Sequence, residues 1–275
     1  MTVDQRSIQS RSAICRHGRA GLRCVALAYL AALLLVPVGL VFSRTFEPGL
    51  AAVWASITTP AAIHAFWLTI EIALIAVPLN TVLGVVTALA LVRGGFPGKA
   101  LLQALIDLPF AVSPIVVGLA LVLVYGDGGW LAGLPFQVIF AVPGMVLATI
   151  FVCLPFVVRE VEPILREVGD EQEQAAATLG ASRAQTFWRI TLPAIRWGIA
   201  YGVVLSTARA VGEFGAVSVV SGKIAGQTET LTLLVEKRFQ NFDLAGAYAA
   251  SALLALIALA TLVAMTLLKP RRDEG

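Results

Sequence analysis

Six long apolar runs alternate with polar segments along this chain, over residues 23–43, 65–92, 101–124, 138–158, 197–220 and 244–268. Crossing ~30 Å of hydrocarbon takes about 20 apolar residues in a helix, and each run meets that length. The pattern predicts an all-α integral membrane protein of six transmembrane helices. Its domain lies at 23–268, between an N-terminal tail at 1–22 and a C-terminal tail at 269–275, with one long polar loop at 159–196. The second run is long enough to tilt, kink or include an interfacial turn at Pro78. Pro78, Pro109, Pro114, Pro143 and Pro155 fall in runs two to four. Each removes a helical hydrogen bond, which a membrane tolerates where protein or a cavity satisfies the freed group.

Composition agrees, because 13% charged residues among 58% hydrophobic ones is about half the charge of a soluble domain, roughly 25%. The charges that remain are placed unevenly. Arg6, Arg11, Arg16 and Arg19 precede the first run and Arg23 opens it, Arg93 and Lys99 follow the second, and Lys269, Arg271 and Arg272 follow the sixth. Arg159, Arg166, Arg183, Arg189 and Arg196 lie on the 159–196 loop, whereas the opposite loops hold only Arg44, Lys223, Lys237 and Arg238. By the positive-inside rule both termini and the 159–196 loop are cytoplasmic. The first run is too long for the apolar core of a signal peptide and reads as an uncleaved span. A net charge of +3 concentrated on inner loops gives no reason to expect nucleic acid as a partner, and the expected contact is with membrane lipid. Cys15, Cys24 and Cys153 have neither metal-ligand spacing nor a disulfide pattern.

The 159–196 loop has local order of its own. Gly169 and Gly180 bracket a helix of about ten residues, with Asp170, Glu171 and Glu173 in the first turn where carboxylates complement the helix dipole. Gly180 is placed to take a left-handed conformation past the C-terminus. Ala175, Ala176 and Ala177 favour the helix and expose almost no side chain, so another protein can approach the backbone. Ser182 and Gln185 form a capping-box pattern, Phe187, Trp188 and Ile190 give an apolar face, and Pro193 suits the first turn of the next helix. Alone, the run also fits an amphipathic interfacial helix with Trp188 at headgroup level.

The complete spacing favours docking. Gln174-Ala-Ala-Ala-Thr-Leu-Gly180, nine residues, then Ile190-Thr-Leu-Pro193 resembles the cytoplasmic loop by which permease subunits of ATP-binding-cassette (ABC) importers dock onto their ATPase. The one departure is Gln174, where the family has Glu. The resemblance implies the six-helix fold of an ABC importer permease and places Gln174, Ala175, Ala176, Gly180, Ile190, Leu192 and Pro193 in the docking element. Gln174 keeps a hydrogen-bonding end without the charge, leaving an ion pair there open or passed to Glu173. ATP and magnesium are then expected on a separate ATPase, with no cofactor in this chain. The only phosphate-loop lookalike, Gly94-Gly-Phe-Pro-Gly98-Lys99-Ala100, lacks the required gap and the Ser or Thr after Lys.

Ionisable residues inside a membrane cost about 2.5–3.5 kcal/mol each on insertion scales and are functional candidates. Arg209 and Glu213, four apart in the fifth run, share a helical face and either line the translocation path or its gate, or neutralise each other. Glu71 and Asp107 fit span ends or cross-helix pairs. Gly198, Gly202, Ser206 and Ala210 allow close helix approach, at a subunit interface or within the chain.

Beyond the loop, Ile106-Asp-Leu-Pro-Phe-Ala-Val-Ser-Pro114 looks like the third span of sulfate-importer permeases. Ala208-Arg-Ala-Val-Gly-Glu-Phe-Gly-Ala216 is similar to both sulfate and molybdate permeases. Val217-Ser-Val-Val-Ser-Gly222 and Gly226-Gln-Thr-Glu-Thr-Leu231 resemble the W-type permease subunit of the sulfate/thiosulfate importer. That resemblance implies a bacterial inner-membrane location, a paralogous T-type permease, two ATPase copies and an extracytoplasmic sulfate-binding protein. A molybdate or tungstate importer is the alternative. A membrane enzyme or secondary transporter fits less well, since His17 and His64 are isolated and no internal repeat is visible.

Overall fold

The computed structural model describes residues 5–268, which form helices joined by turns and by longer loops at 126–141 and 221–230; the 269–275 tail and the first residues of the N-terminal tail lie outside this range. The helices in chain order are α1 (Gln5–Phe46), α2 (Leu50–Ile57), α3 (Pro60–Arg93), α4 (Lys99–Ala111), α5 (Pro114–Tyr125) and α6 (Val142–Val168). The 159–196 region then holds α7 (Glu171–Thr178), α8 (Arg183–Thr186) and a π-helical turn (Phe187–Thr191). The last four are α9 (Leu192–Val211), α10 (Val217–Val220), α11 (Leu231–Gln240) and α12 (Leu244–Leu268). Among the described residues, five helices are long and apolar enough to cross a membrane, and six if α4 and α5 together count as one span.

Prolines act differently according to position. Pro78 does not interrupt α3, a single helix of 34 residues whose N-cap Thr59 accepts the Ala62 N–H. Pro109 and Pro155 lie inside α4 and α6, and Pro143 occupies the first turn of α6. Only Pro114 coincides with a break. Instead of one straight third span, α4 and α5 meet at 112°. The physical cause is local, because a residue preceding proline is driven out of the helical region, and Val112 and Ser113 are both extended (ψ 135° and 134°). The fifth span is shorter than the sequence suggests: α9 ends at Val211, capped by Gly212, so Glu213 lies just beyond the helix.

Helices α3, α6 and α9 form the centre. Their closeness depends on absent side chains, since a Cβ on Gly84 would sit 2.6 Å from Val157 Cβ and one on Gly202 would sit 2.9 Å from Val157 Cα. A Cβ on Gly198 would meet the Glu160 carbonyl oxygen at 2.8 Å. The small-residue stripe Gly198, Gly202, Ser206 and Ala210 is therefore buried within the chain against α6, not held at a subunit interface. Toward the end carrying the 159–196 region, Leu91, Ile106, Val161, Leu165 and Ile195 make one buried cluster. At the other end, Ile72, Met145, Val217, Val220 and Leu233 make another, into which the short α10 is folded. The α1 span from Cys24 onward is unburied along its length, apart from Thr45, whose hydroxyl donates to the Tyr248 carbonyl at 3.0 Å.

Candidate functional site

Two regions carry the chemistry singled out in the sequence. The first is the excursion between α6 and α9. Gly169 leaves α6 with φ 67° and turns the chain into α7. At the other end of α7, the Ala181 N–H donates to the Ala176 carbonyl and the Gly180 N–H to the Ala177 carbonyl, both at 3.0 Å. That bond pair is a Schellman cap, and it requires the left-handed conformation that Gly180 adopts, φ 85°. The capping box is complete as well. The Ser182 hydroxyl accepts the Gln185 N–H and the Gln185 side chain accepts the Ser182 N–H.

The result is a short helix with a bare outer surface. Gln174, Ala175, Ala177 and Gly180 are exposed, Ala176 is half-buried, and a Cβ on Gly180 would meet nothing within 4 Å. Leu179 is 89% exposed, an apolar knob beside the glycine. The other residues of the spacing lie elsewhere. Ile190 and Leu192 are half-buried and root the excursion, while Pro193 is exposed in the first turn of α9. Gln174 donates through Nε2 to Asp170 Oδ2 at 2.8 Å, one turn back on its own helix. Glu173 does not substitute for it outwardly. Its carboxylate turns inward to the Arg93 guanidinium (Nε to Oε2, 3.0 Å) and to the Thr191 hydroxyl (2.8 Å), and Arg93 also donates to the Gly169 carbonyl. Arg93 and Thr191 escaped sequence reasoning because no spacing links positions 80 and 18 residues away from Glu173.

The second region is the end of α9. Arg209 Nη1 lies 2.5 Å from Glu213 Oε2, so the pair expected from the four-residue spacing forms even though the helix stops between them. Burial is unequal, with side-chain exposures of 31% for Arg209 and 1% for Glu213. The Glu213 carboxylate also accepts the Ala216 N–H at 2.9 Å, and its carbonyl accepts the Thr232 hydroxyl at 2.9 Å. Arg209 thereby faces an open cleft of about 370 Å³ at the α4–α5 break, lined also by Pro109, Phe110, Ser113, Pro114 and Phe156. Asp107, near the end of α4, pairs across to Arg159 at 2.6 Å, and the Arg159 guanidinium lies 5.2 Å from the Phe110 ring centre. Glu71 is exposed on α3.

Residues 80–274 match the profile of the family described as binding-protein-dependent transport system inner membrane component. The chain belongs to this family. Several fellow members are close in sequence. The chain is 50% identical over 254 residues to the sulfate transport system permease protein CysW of Synechocystis sp., covering 91% of this chain and 92% of that protein. The Escherichia coli (strain K12) CysW protein is 49% identical over 254 residues, covering 91% and 87%. The sulfate transport system permease protein CysT of Synechococcus elongatus is more distant, at 41% over 245 residues and 88% of each chain. Among solved structures, a chain of a bacterial ABC transporter that imports the acidic polysaccharide alginate superposes with a TM-score of 0.77 at 17% identity. It covers 97% of this chain and 100% of that one, a likeness of fold alone.

Proposed function

We propose that this chain is the W-type permease subunit of an ATP-driven sulfate/thiosulfate importer. It forms part of the translocation path and couples to a separate ATPase. The observation that carries the reading is α7 itself, a capped helix offering Gln174, Ala175, Ala177, Leu179 and Gly180 to an incoming protein at the end of the bundle richest in arginine. Identity near 50% to sulfate permeases supports the substrate, and the matching relatives do not favour the molybdate or tungstate alternative.

In this reading the machine is heteromeric. A T-type permease pairs with this chain, two ATPase copies bind Mg-ATP and dock on the 159–196 loops, and a sulfate-binding protein delivers the anion at the opposite face. Gln174, Ala175, Ala176 and Gly180 form the contact, with Ile190, Leu192 and Pro193 as its root. Arg209 and Glu213 form the gate at the α4–α5 cleft. The guanidinium is held by a buried carboxylate, so its charge is largely balanced, which suits passage of an oxyanion better than tight retention. The complex sits in the bacterial inner membrane with both termini cytoplasmic and lipid around the outer helices.

Uptake of labelled sulfate in cells lacking the gene tests this, with unlabelled sulfate, thiosulfate or molybdate as competitors. High-affinity sulfate uptake is expected to vanish and growth to require cysteine or methionine. Normal sulfate uptake with molybdate uptake lost would transfer the chain to the alternative.

A further inference from the structure

The outer face of α7 is bare, but its inner face is tied to two spans through one carboxylate. Arg93 is the last residue of α3, and its Nε and Nη2 reach Glu173 Oε2 and Oε1 at 3.0 and 3.4 Å. Nη2 of that guanidinium also donates to the Gly169 carbonyl, at the exit of α6. Glu173 Oε1 also accepts the hydroxyl proton of Thr191, the final residue of the π-helical turn, immediately before α9. One side chain on α7 therefore touches the end of α3 and the start of α9 together.

The seat is firm. Arg93 and Glu173 are each 23% exposed, Thr191 is buried, and Leu165 and Ile195 close the floor. The void left among these groups is only about 10 Å³. A forked arginine–carboxylate contact with a third hydrogen bond, partly withdrawn from water, holds geometry better than an exposed pair. Without it, α7 is an eight-residue helix between two left-handed glycines, joined to the bundle only at its ends. Helix α9 carries Arg209 at its far end, beside the α4–α5 cleft.

We propose that Arg93, Glu173 and Thr191 form a clamp that makes α7 move as one body with α3 and α9. Displacement of α7 by the ATPase is then delivered along α9 to the cleft instead of being lost in loop bending. The clamp rests on the docking reading of the loop and adds to it. These three are positioning residues, and none contacts the anion.

The complex reconstituted in proteoliposomes, with its ATPase and binding protein, provides the test. ATPase recovered per permease reports docking, and sulfate imported per ATP hydrolysed reports transmission. In Arg93→Ala and Glu173→Ala, ATPase recovery is expected to stay at the wild-type level while import per ATP falls at least about fivefold. The exchanged pair, Arg93→Glu with Glu173→Arg, should restore only the ion-pair part of that loss, since a carboxylate at 93 cannot donate to the Gly169 carbonyl and a guanidinium at 173 cannot accept from Thr191. Thr191→Val, which removes a single bond, should lower import per ATP less and still assemble even where the alanine variants do not. Wild-type import per ATP in Thr191→Val and in every assembling single variant would overturn the clamp, as would an exchanged pair no better than the singles. A parallel fall in ATPase recovery would also overturn it, by making the network an attachment and not a transmission. Failure of docking itself would appear separately, as wild-type ATPase recovery together with wild-type sulfate import in Gly180→Val.

Discussion

Arg209 and Glu213 hold each other at 2.5 Å, and their unequal burial decides what each replacement does. Arg209→Ala strands a carboxylate that is 1% exposed, and breaking such a pair costs about 3–5 kcal/mol. We expect that variant to accumulate poorly. Adding Glu213→Gln keeps an acceptor for the Ala216 N–H and removes the stranded charge, so the double variant should assemble. If Arg209 works at the gate, sulfate uptake by the double variant stays down by about tenfold or more, ~1.4 kcal/mol in the barrier. Wild-type uptake by the double variant would reduce the pair to local charge balance. Gly202 makes a different case, because its missing Cβ is needed for backbone contact with Val157. Gly202→Val should cost about 1–3 kcal/mol through overpacking, read as a lower midpoint of thermal unfolding in detergent.

At the scale of the element, α7 separates backbone conformation from space. Nothing lies within 4 Å of a Cβ on Gly180, so Gly180→Val clashes with nothing inside the chain. The left-handed backbone at φ 85° still disfavours a β-branched residue, by roughly 1–2 kcal/mol, and weakens the Schellman cap. We expect membrane insertion to be retained, with ATPase recovery reduced or hydrolysis no longer responsive to the loaded binding protein. Gln174→Glu would restore the family's charge but set it one turn from Asp170, whose carboxylate now receives the Gln174 amide. Like charges at that spacing cost about 0.2–0.5 kcal/mol, so no gain in ATPase recovery is expected. The same helix shows why part of the molecule was legible in sequence. Its glycines and acidic first turn, like the capping box of α8 that follows, act within a few residues, and so leave a local signature. The α4–α5 break was half legible, since Pro114 marks the place but its angle depends on what packs around it. Helix α11 left no apolar run because only Leu231, Leu233 and Leu234 are buried in it, and the Arg93–Glu173 contact joins segments 80 residues apart.

For the whole molecule, the question left by the bent pair is whether it crosses the membrane or returns to the side it came from. The clamp bears on this. Arg93 at the end of α3 touches Gly169 just past the end of α6, so these two long helices run parallel and finish on the same side. The chain leaving α3 at Gly94 must reach Val142, at the opposite end of α6, and the segment available is α4, α5 and the loop after them. We therefore expect the bent pair to act as a single crossing, giving six spans and termini on one side. From the arginines at the α7 end we expect that side to be the cytoplasm. Single cysteines at three exposed positions, introduced after removal of Cys15, Cys24 and Cys153, can check it. Leu179→Cys, just past α7, should react with a membrane-impermeant maleimide only after permeabilisation. Trp130→Cys, after α5, and Phe242→Cys, between α11 and α12, should both react in intact spheroplasts. Protection of position 130 together with labelling of position 242 would mean that α4 and α5 form a re-entrant hairpin. The 112° bend would then be a reversal of the chain and not a bent passage through the bilayer.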